Sequence, residues 1–234
     1  GRDANGQGIY IDFAKIVSSR LGIPVAMTND ANAAAIGEMT YGAAKGMKNF
    51  IMITLGTGVG SGIVVDGKVV YGHDGFAGEL GHTISIRDGR QCSCGLKGCL
   101  EAYTSAIGVA RTAQERIKNS GTPSLLREIP VDKITSKDVY DAAKKGDKMA
   151  LEIFDFTANL LGEAFANFIA FSAPEAIILF GGLTKSREFI EKPIIESMNK
   201  NVVSIWKDKV KILFSQLKDS DAAILGASAL GWDL

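Results

Sequence analysis

All three cysteines of the chain fall within eight residues, Cys92-Ser93-Cys94-Gly95-Leu96-Lys97-Gly98-Cys99, shortly after the run Gly78-Glu79-Leu80-Gly81-His82. Three is an odd number and the spacing is tight, a poor arrangement for disulfides and a good one for a metal. One imidazole and three thiolates make a four-ligand zinc set, and Gly95 and Gly98 permit the turns that gather the thiolates. An iron–sulfur cluster normally takes four cysteines, so zinc is the metal expected of His82, Cys92, Cys94 and Cys99. The competing reading is that three free cysteines simply fill core. His73 is the only other histidine, and its glycine-flanked loop offers no reason to prefer it.

A chain of 234 residues, 46% hydrophobic and 22% charged, can bury a core and fits one large domain or one domain plus part of another. Lys plus Arg and Asp plus Glu both number 26, so no net field draws the chain toward nucleic acid or an anionic membrane. Basic pairs such as Lys144-Lys145 read as solvated helix faces. No apolar run reaches the roughly 18 residues a membrane span needs, and no signal-peptide pattern opens the chain. A cytoplasmic location is expected, with neither membrane nor nucleic acid as a partner.

Hydrophobic periodicity sets the expected order of elements. Residues 1–8 read as a loop, followed by a helix over 11–21, a short strand over 24–28 and an Ala-rich helix over 31–39. Three antiparallel strands follow at 50–55, 62–65 and 68–71, the last two joined at Asp66-Gly67, a strong hairpin signal. Helices are expected over 101–118, 136–145 and from Phe154 to Pro174, then a buried strand over 176–180. A helix over 187–199 should break or kink at Pro193. A strand over 210–214 and a small-residue helix over 221–230 end the chain. The pattern argues for an α/β fold, a mixed sheet with flanking helices.

Three further motifs are ambiguous on the residues alone. Gly56-Thr57-Gly58, in a run of glycines between two strands, can cradle phosphates with backbone N–H groups or can be a plain glycine-rich hairpin. It lacks the Lys-Ser/Thr and following helix of a Walker loop. Gly181-Gly182 ends a buried strand, as many such pairs do without touching a ligand. Asp30, where a strand meets a helix, is placed to be a general base or an N-cap.

Together these segments resemble the ROK family, whose name joins repressors, open reading frames and kinases. The likeness runs from about Pro24 to the C-terminus. Its most specific element, Glu-x-Gly-His followed by Cys-x-Cys-Gly-x-x-Gly-Cys-x-Glu, is reproduced without a break from Glu79 to Glu101. The resemblance implies the actin-like, ribonuclease H-like sugar kinase fold. It implies Asp30 as catalytic base, Asn29, Asp30, Glu79, His82 and Glu101 as sugar contacts, Gly56, Thr57 and Gly58 as the loop for ATP phosphates, and Gly181 and Gly182 near the adenosine.

The function so implied is ATP-dependent phosphorylation of a hexose, glucose or a relative such as N-acetylmannosamine or N-acetylglucosamine. ATP and Mg2+ would serve the transfer, and Zn2+ would order the loop over 82–101. With one ring nitrogen on zinc, His82 would present its other N–H to a sugar hydroxyl. Residues 1–45 would be the remainder of a small lobe and 46–234 the large lobe, with the final helix packing back on the small one. Family members commonly form homodimers. The family's Asp-x-Gly-x-Thr phosphate motif does not precede Gly1, so the N-terminal lobe is expected to be incomplete and this chain a poor catalyst by itself. The alternative from another class is a sugar-responsive transcriptional repressor, which requires a basic helix-turn-helix upstream. A zinc-stabilised module that binds sugar without turnover is the third reading.

Overall fold

The computed structural model describes residues 11–217 and 221–231, so the loop expected over 1–8 lies outside the described residues. Five strands form one sheet: β1 (Phe50–Leu55), β2 (Val59–Val65), β3 (Lys68–Val69), β4 (Ala176–Phe180) and β5 (Lys211–Phe214), in the order β3-β2-β1-β4-β5. The first three are antiparallel, whereas β1–β4 and β4–β5 are parallel, which is the expected mixed sheet. At the β2–β3 hairpin Asp66 and Gly67 have φ of 51° and 74°, the left-handed pair that a two-residue turn matching strand twist demands. The strand β2 starts at Val59, earlier than expected, because Val59, Gly60 and Ser61 pair with Leu55, Thr54 and Ile53.

Side-chain alternation divides the sheet into two buried faces. Phe50, Met52, Val64 and Ile178 face one way, toward the small residues of α2 (Asp30–Tyr41) and the start of α8 (Ala222–Leu230). Ile51, Ile53, Leu55, Ile177 and Leu179 face the main core. That core is completed by α3 (Glu101–Thr104), α4 (Ala106–Asn119), α5 (Ser136–Lys144), α6 (Lys148–Ser172) and α7 (Arg187–Asn201). Covered on both sides, β4 reads as an unbroken apolar run and β1 as one interrupted only at Thr54. The first helix, α1 (Phe13–Leu21), has no buried residue. Among the described residues no helix is long and apolar enough to cross a membrane.

Three expectations are corrected. Residues 24–28 form no strand, since none among the described residues lies alongside to complete a ladder. The helix expected over 101–118 is two helices, broken at Ser105, whose extended backbone (ψ 169°) lets its side chain cap α4 by accepting from the Gly108 N–H. Pro193 does not break α7. Ile190 and Ile194 are fully buried and Met198 nearly so, and this packing on α6 outweighs the roughly 3 kcal/mol that an interior proline costs.

Candidate active site

The N-terminus of α2 separates two roles that the sequence left open. Asn29 is the N-cap, its side-chain oxygen accepting the Asn32 N–H at 2.7 Å. Asp30 is the first helical residue, exposed, with Oδ1 accepting the Ala31 N–H at 2.9 Å. Capping by Asn29 leaves the Asp30 carboxylate directed into a cleft. Capping uses one lone pair of the Asn29 oxygen, so its second lone pair and its amide N–H groups remain for a ligand.

That cleft, about 510 Å³, gathers residues far apart in sequence: Asp30, Gly56, Thr57, Gly58, Glu101 and Gly181 all line it. The cause is strand direction. Parallel β1 and β4 end side by side, Thr54 against Phe180, so the glycines following each strand converge at their C-terminal ends, where ligands of α/β sheets bind. A neighbouring cleft of about 550 Å³ shares Gly56 and Thr57 and is lined further by Gly182, Tyr140 and Lys137.

The four residues expected to hold zinc come together. One donor atom from each of His82, Cys92, Cys94 and Cys99 lies within 4.8 Å of all the others. Cys92 Sγ is 3.6 Å from His82 Nδ1, and Cys94 Sγ is 3.6 Å from Cys99 Sγ. Two sulfurs bound to one tetrahedral zinc at about 2.3 Å would lie roughly 3.7 Å apart, so the cluster fits the ion. Nδ1 is the His82 nitrogen on the cluster side, which leaves Nε2 for another partner. Burial, then the hydrogen bond its thiol donates to Cys94, pushes the Cys99 thiol up to about 12, while a hydrogen bond from the Leu96 backbone holds exposed Cys94 below its ordinary value. Thiols so crowded resist ionising together, and a dication removes that penalty.

Glu79 is exposed beside a short 3-10 turn, Leu80–His82, and does not line the cleft. Buried Ser61 on β2 ties this turn down: its hydroxyl donates to the Gly78 carbonyl and accepts the Leu80 N–H at 3.1 Å. Sequence reasoning missed Ser61, and it missed Arg90. The Arg90 guanidinium donates to the carbonyls of Ala102 at 2.9 Å and Gly108 at 3.2 Å, to Thr112 Oγ1 at 2.9 Å and to Glu115 Oε2 at 2.6 Å. It thereby fastens the cysteine loop to the α3–α4 junction. Of the two arginines between His82 and Cys92, Arg87 and Arg90, nothing in the sequence distinguishes Arg90 from a surface charge.

The ROK family model matches residues 3–233. A glucokinase from Halalkalibacterium halodurans is 40% identical over 214 residues, 90% of this chain and 63% of that protein, so this chain spans less than two thirds of that relative's length. A xylose repressor from Caldicellulosiruptor bescii is 30% identical over 220 residues, 94% of this chain and 55% of that protein. A crystal structure of a ROK family glucokinase from Streptomyces griseus in complex with glucose and AMPPNP superposes with a TM-score of 0.81 at 36% identity, covering 93% of this chain and 71% of that one.

Proposed function

This chain belongs to the ROK family, and from that premise we propose that the full-length protein phosphorylates a hexose with ATP, using Asp30 as the general base. The observation that carries the reading is the meeting of the Asp30 carboxylate and the Gly56–Gly58 loop in one cleft. A base and a phosphate cradle facing one another are what in-line phosphoryl transfer from ATP to a hydroxyl needs. The likeness to a glucokinase solved in complex with glucose and AMPPNP supports glucose as the acceptor, with an acetamido relative as the alternative.

Asp30 would accept the proton of the attacking hydroxyl as that oxygen turns toward the γ-phosphate. Backbone N–H groups of the glycine loop would meet the phosphates, with Gly182 and its neighbouring cleft holding the adenosine. Magnesium entering with the nucleotide supplies charge neutralisation at the transferring group. The amide of Asn29, His82 Nε2, Glu79 and Glu101 would fix sugar hydroxyls by direction and so reject epimers. Zinc on His82, Cys92, Cys94 and Cys99 would hold the imidazole in one orientation, a structural ion with a functional consequence. Residues 1–45 belong, in this reading, to the small lobe and 46–234 to the large one, in a cytoplasmic homodimer.

The match to xylose repressors favours a second reading, a sugar-responsive regulator. Asp30 argues for the enzyme, since a sensor has no need of a base. A coupled ADP-release assay on the full-length protein with a panel of hexoses separates the two. Turnover with one or two of the sugars is expected; sugar binding with no ADP release from any of them would overturn the kinase reading.

A further inference from the structure

Glu101 touches both the glycine loop and the metal centre. Its Oε2 accepts the backbone N–H of Val59 at 2.9 Å, immediately after Gly56-Thr57-Gly58. The fit is close: a Cβ on Gly58 would stand 2.5 Å from that same oxygen. Its Oε1 faces the cysteines, with the Ser93 hydroxyl donating at 3.3 Å and the Cys92 thiol at 3.7 Å. Ser93 sits between two metal ligands, and Glu101 follows the ligand Cys99 by two residues. A metal-bound Cys92 has no proton to donate, so in the loaded centre the Ser93 hydroxyl and the chain leading from Cys99 hold the carboxylate, and it in turn holds the loop.

We propose that Glu101 is a positioning residue for the nucleotide loop and that, through it, the metal centre sets nucleotide affinity. This rests on the kinase reading and extends it, because zinc would then act on the nucleotide as well as on the sugar. A loop of glycines loses much conformational freedom when it closes on phosphates. Pinning Val59 beforehand with a charged acceptor, the stronger kind of hydrogen bond, lowers that cost. The Ser93 hydroxyl carries no ionisation that metal binding alters, so its contact with Glu101 does not depend on the protonation of Cys92.

The test is the dissociation constant of AMPPNP with magnesium for the sugar-free, full-length protein, zinc-loaded and after a zinc-selective chelator. The native protein is expected to lose about tenfold in affinity when zinc is removed. Glu101→Ala is expected to be about tenfold weaker when loaded and to change by under about twofold on chelation, since the link is already cut. Ser93→Ala keeps all four ligands and is expected to lose about threefold while loaded. Hydrogen exchange at the Val59 amide is expected to speed up in Glu101→Ala and in the zinc-free native protein.

An equal loss on chelation in native protein and Glu101→Ala overturns the proposal, as does an unchanged constant for the native protein. Should the zinc-free protein unfold, the loaded variants decide, and native nucleotide affinity in both overturns it. A native protein that binds no nucleotide at all overturns the kinase reading and this inference together.

Discussion

The Arg90 guanidinium lies 4.4 Å from the centre of the Tyr103 ring, and the Arg90 backbone N–H donates to the Tyr103 hydroxyl at 2.7 Å. One residue of the metal loop thus grips one residue of α3 by both its backbone and its side chain. Arg90→Met leaves the Ala102 and Gly108 carbonyls without that donor and removes the pairing of a nearly buried guanidinium with exposed Glu115. A loss of roughly 2–4 kcal/mol is expected. Thermal unfolding and zinc transfer to a chromophoric chelator measure it. The midpoint should fall and zinc should leave faster; an unchanged release rate would separate Arg90 from the metal loop.

Asp30→Asn keeps the shape of the α2 N-terminus and the bond to the Ala31 N–H, because an amide oxygen also accepts. The variant is expected to lose about 10²–10⁴-fold in kcat. Sugar KM should change by under about threefold, since little binding energy is removed. Steady-state ADP release gives both numbers, and full activity in the variant would sink the assignment of the base.

Cys94→Ser removes an exposed ligand whose sulfur is 3.6 Å from Cys99 Sγ. Zinc content should fall, the melting temperature should drop, and sugar affinity should weaken by roughly tenfold as His82 loses its fixed orientation. Metal analysis and sugar titration on one preparation check this. Normal sugar affinity in a zinc-free sample would show that the ion is structural only.

Gly226→Ala probes the seat of the helix that carries Asp30. A Cβ at Gly226 would stand 1.6 Å from the Ala33 carbonyl oxygen, a backbone atom that cannot move without shifting α2 or α8. A destabilisation of roughly 2–4 kcal/mol is expected. Gly121→Ala, where nothing lies within 4 Å of the added carbon, serves as the control and should leave the melting temperature nearly unchanged.

Glu175→Gln tests a pH-dependent clasp at the start of the parallel β1–β4 pair. Glu175 Oε1 accepts the N–H groups of Lys48 at 2.9 Å and Asn49 at 3.0 Å, and these bonds, Lys48 first, hold the carboxyl below its ordinary 4.5. A pKa lowered by folding contributes stability that is complete above the unfolded value and is lost as pH falls through the folded one. The melting temperature of the native protein should therefore drop below about pH 4.5, and its advantage over Glu175→Gln should shrink across that window. A gap constant with pH would remove the carboxylate as its source.

Much of the architecture was legible because it depends on local chemistry. Short apolar runs marked β1 and β4, Asp66-Gly67 marked the hairpin, and the period of α6 marked the helix that lies across the core. Where the reading failed, contacts with distant elements decided the outcome. Residues 24–28 have a strand's composition without a neighbouring strand, and Pro193 stays helical because Ile190 and Ile194 are packed. Within the site, the clustering of His82 with the three cysteines could be read from spacing, while Ser61 and Arg90 could not, since neither residue type announces a partner.

By itself, then, the sequence brought His82 and the three cysteines together as one candidate metal centre, because all four donors lie on one short segment whose glycines let it fold upon itself. It also determined which strands are buried on both faces. Only the tertiary structure decided what the centre stands beside. Val59 and Glu101 are 42 residues apart, and no local rule relates a glycine loop to a carboxylate at that separation. They meet because β1 turns into β2 next to the start of α3, and that juxtaposition is a property of packed elements, set by burial over the whole core rather than by any pair of neighbours.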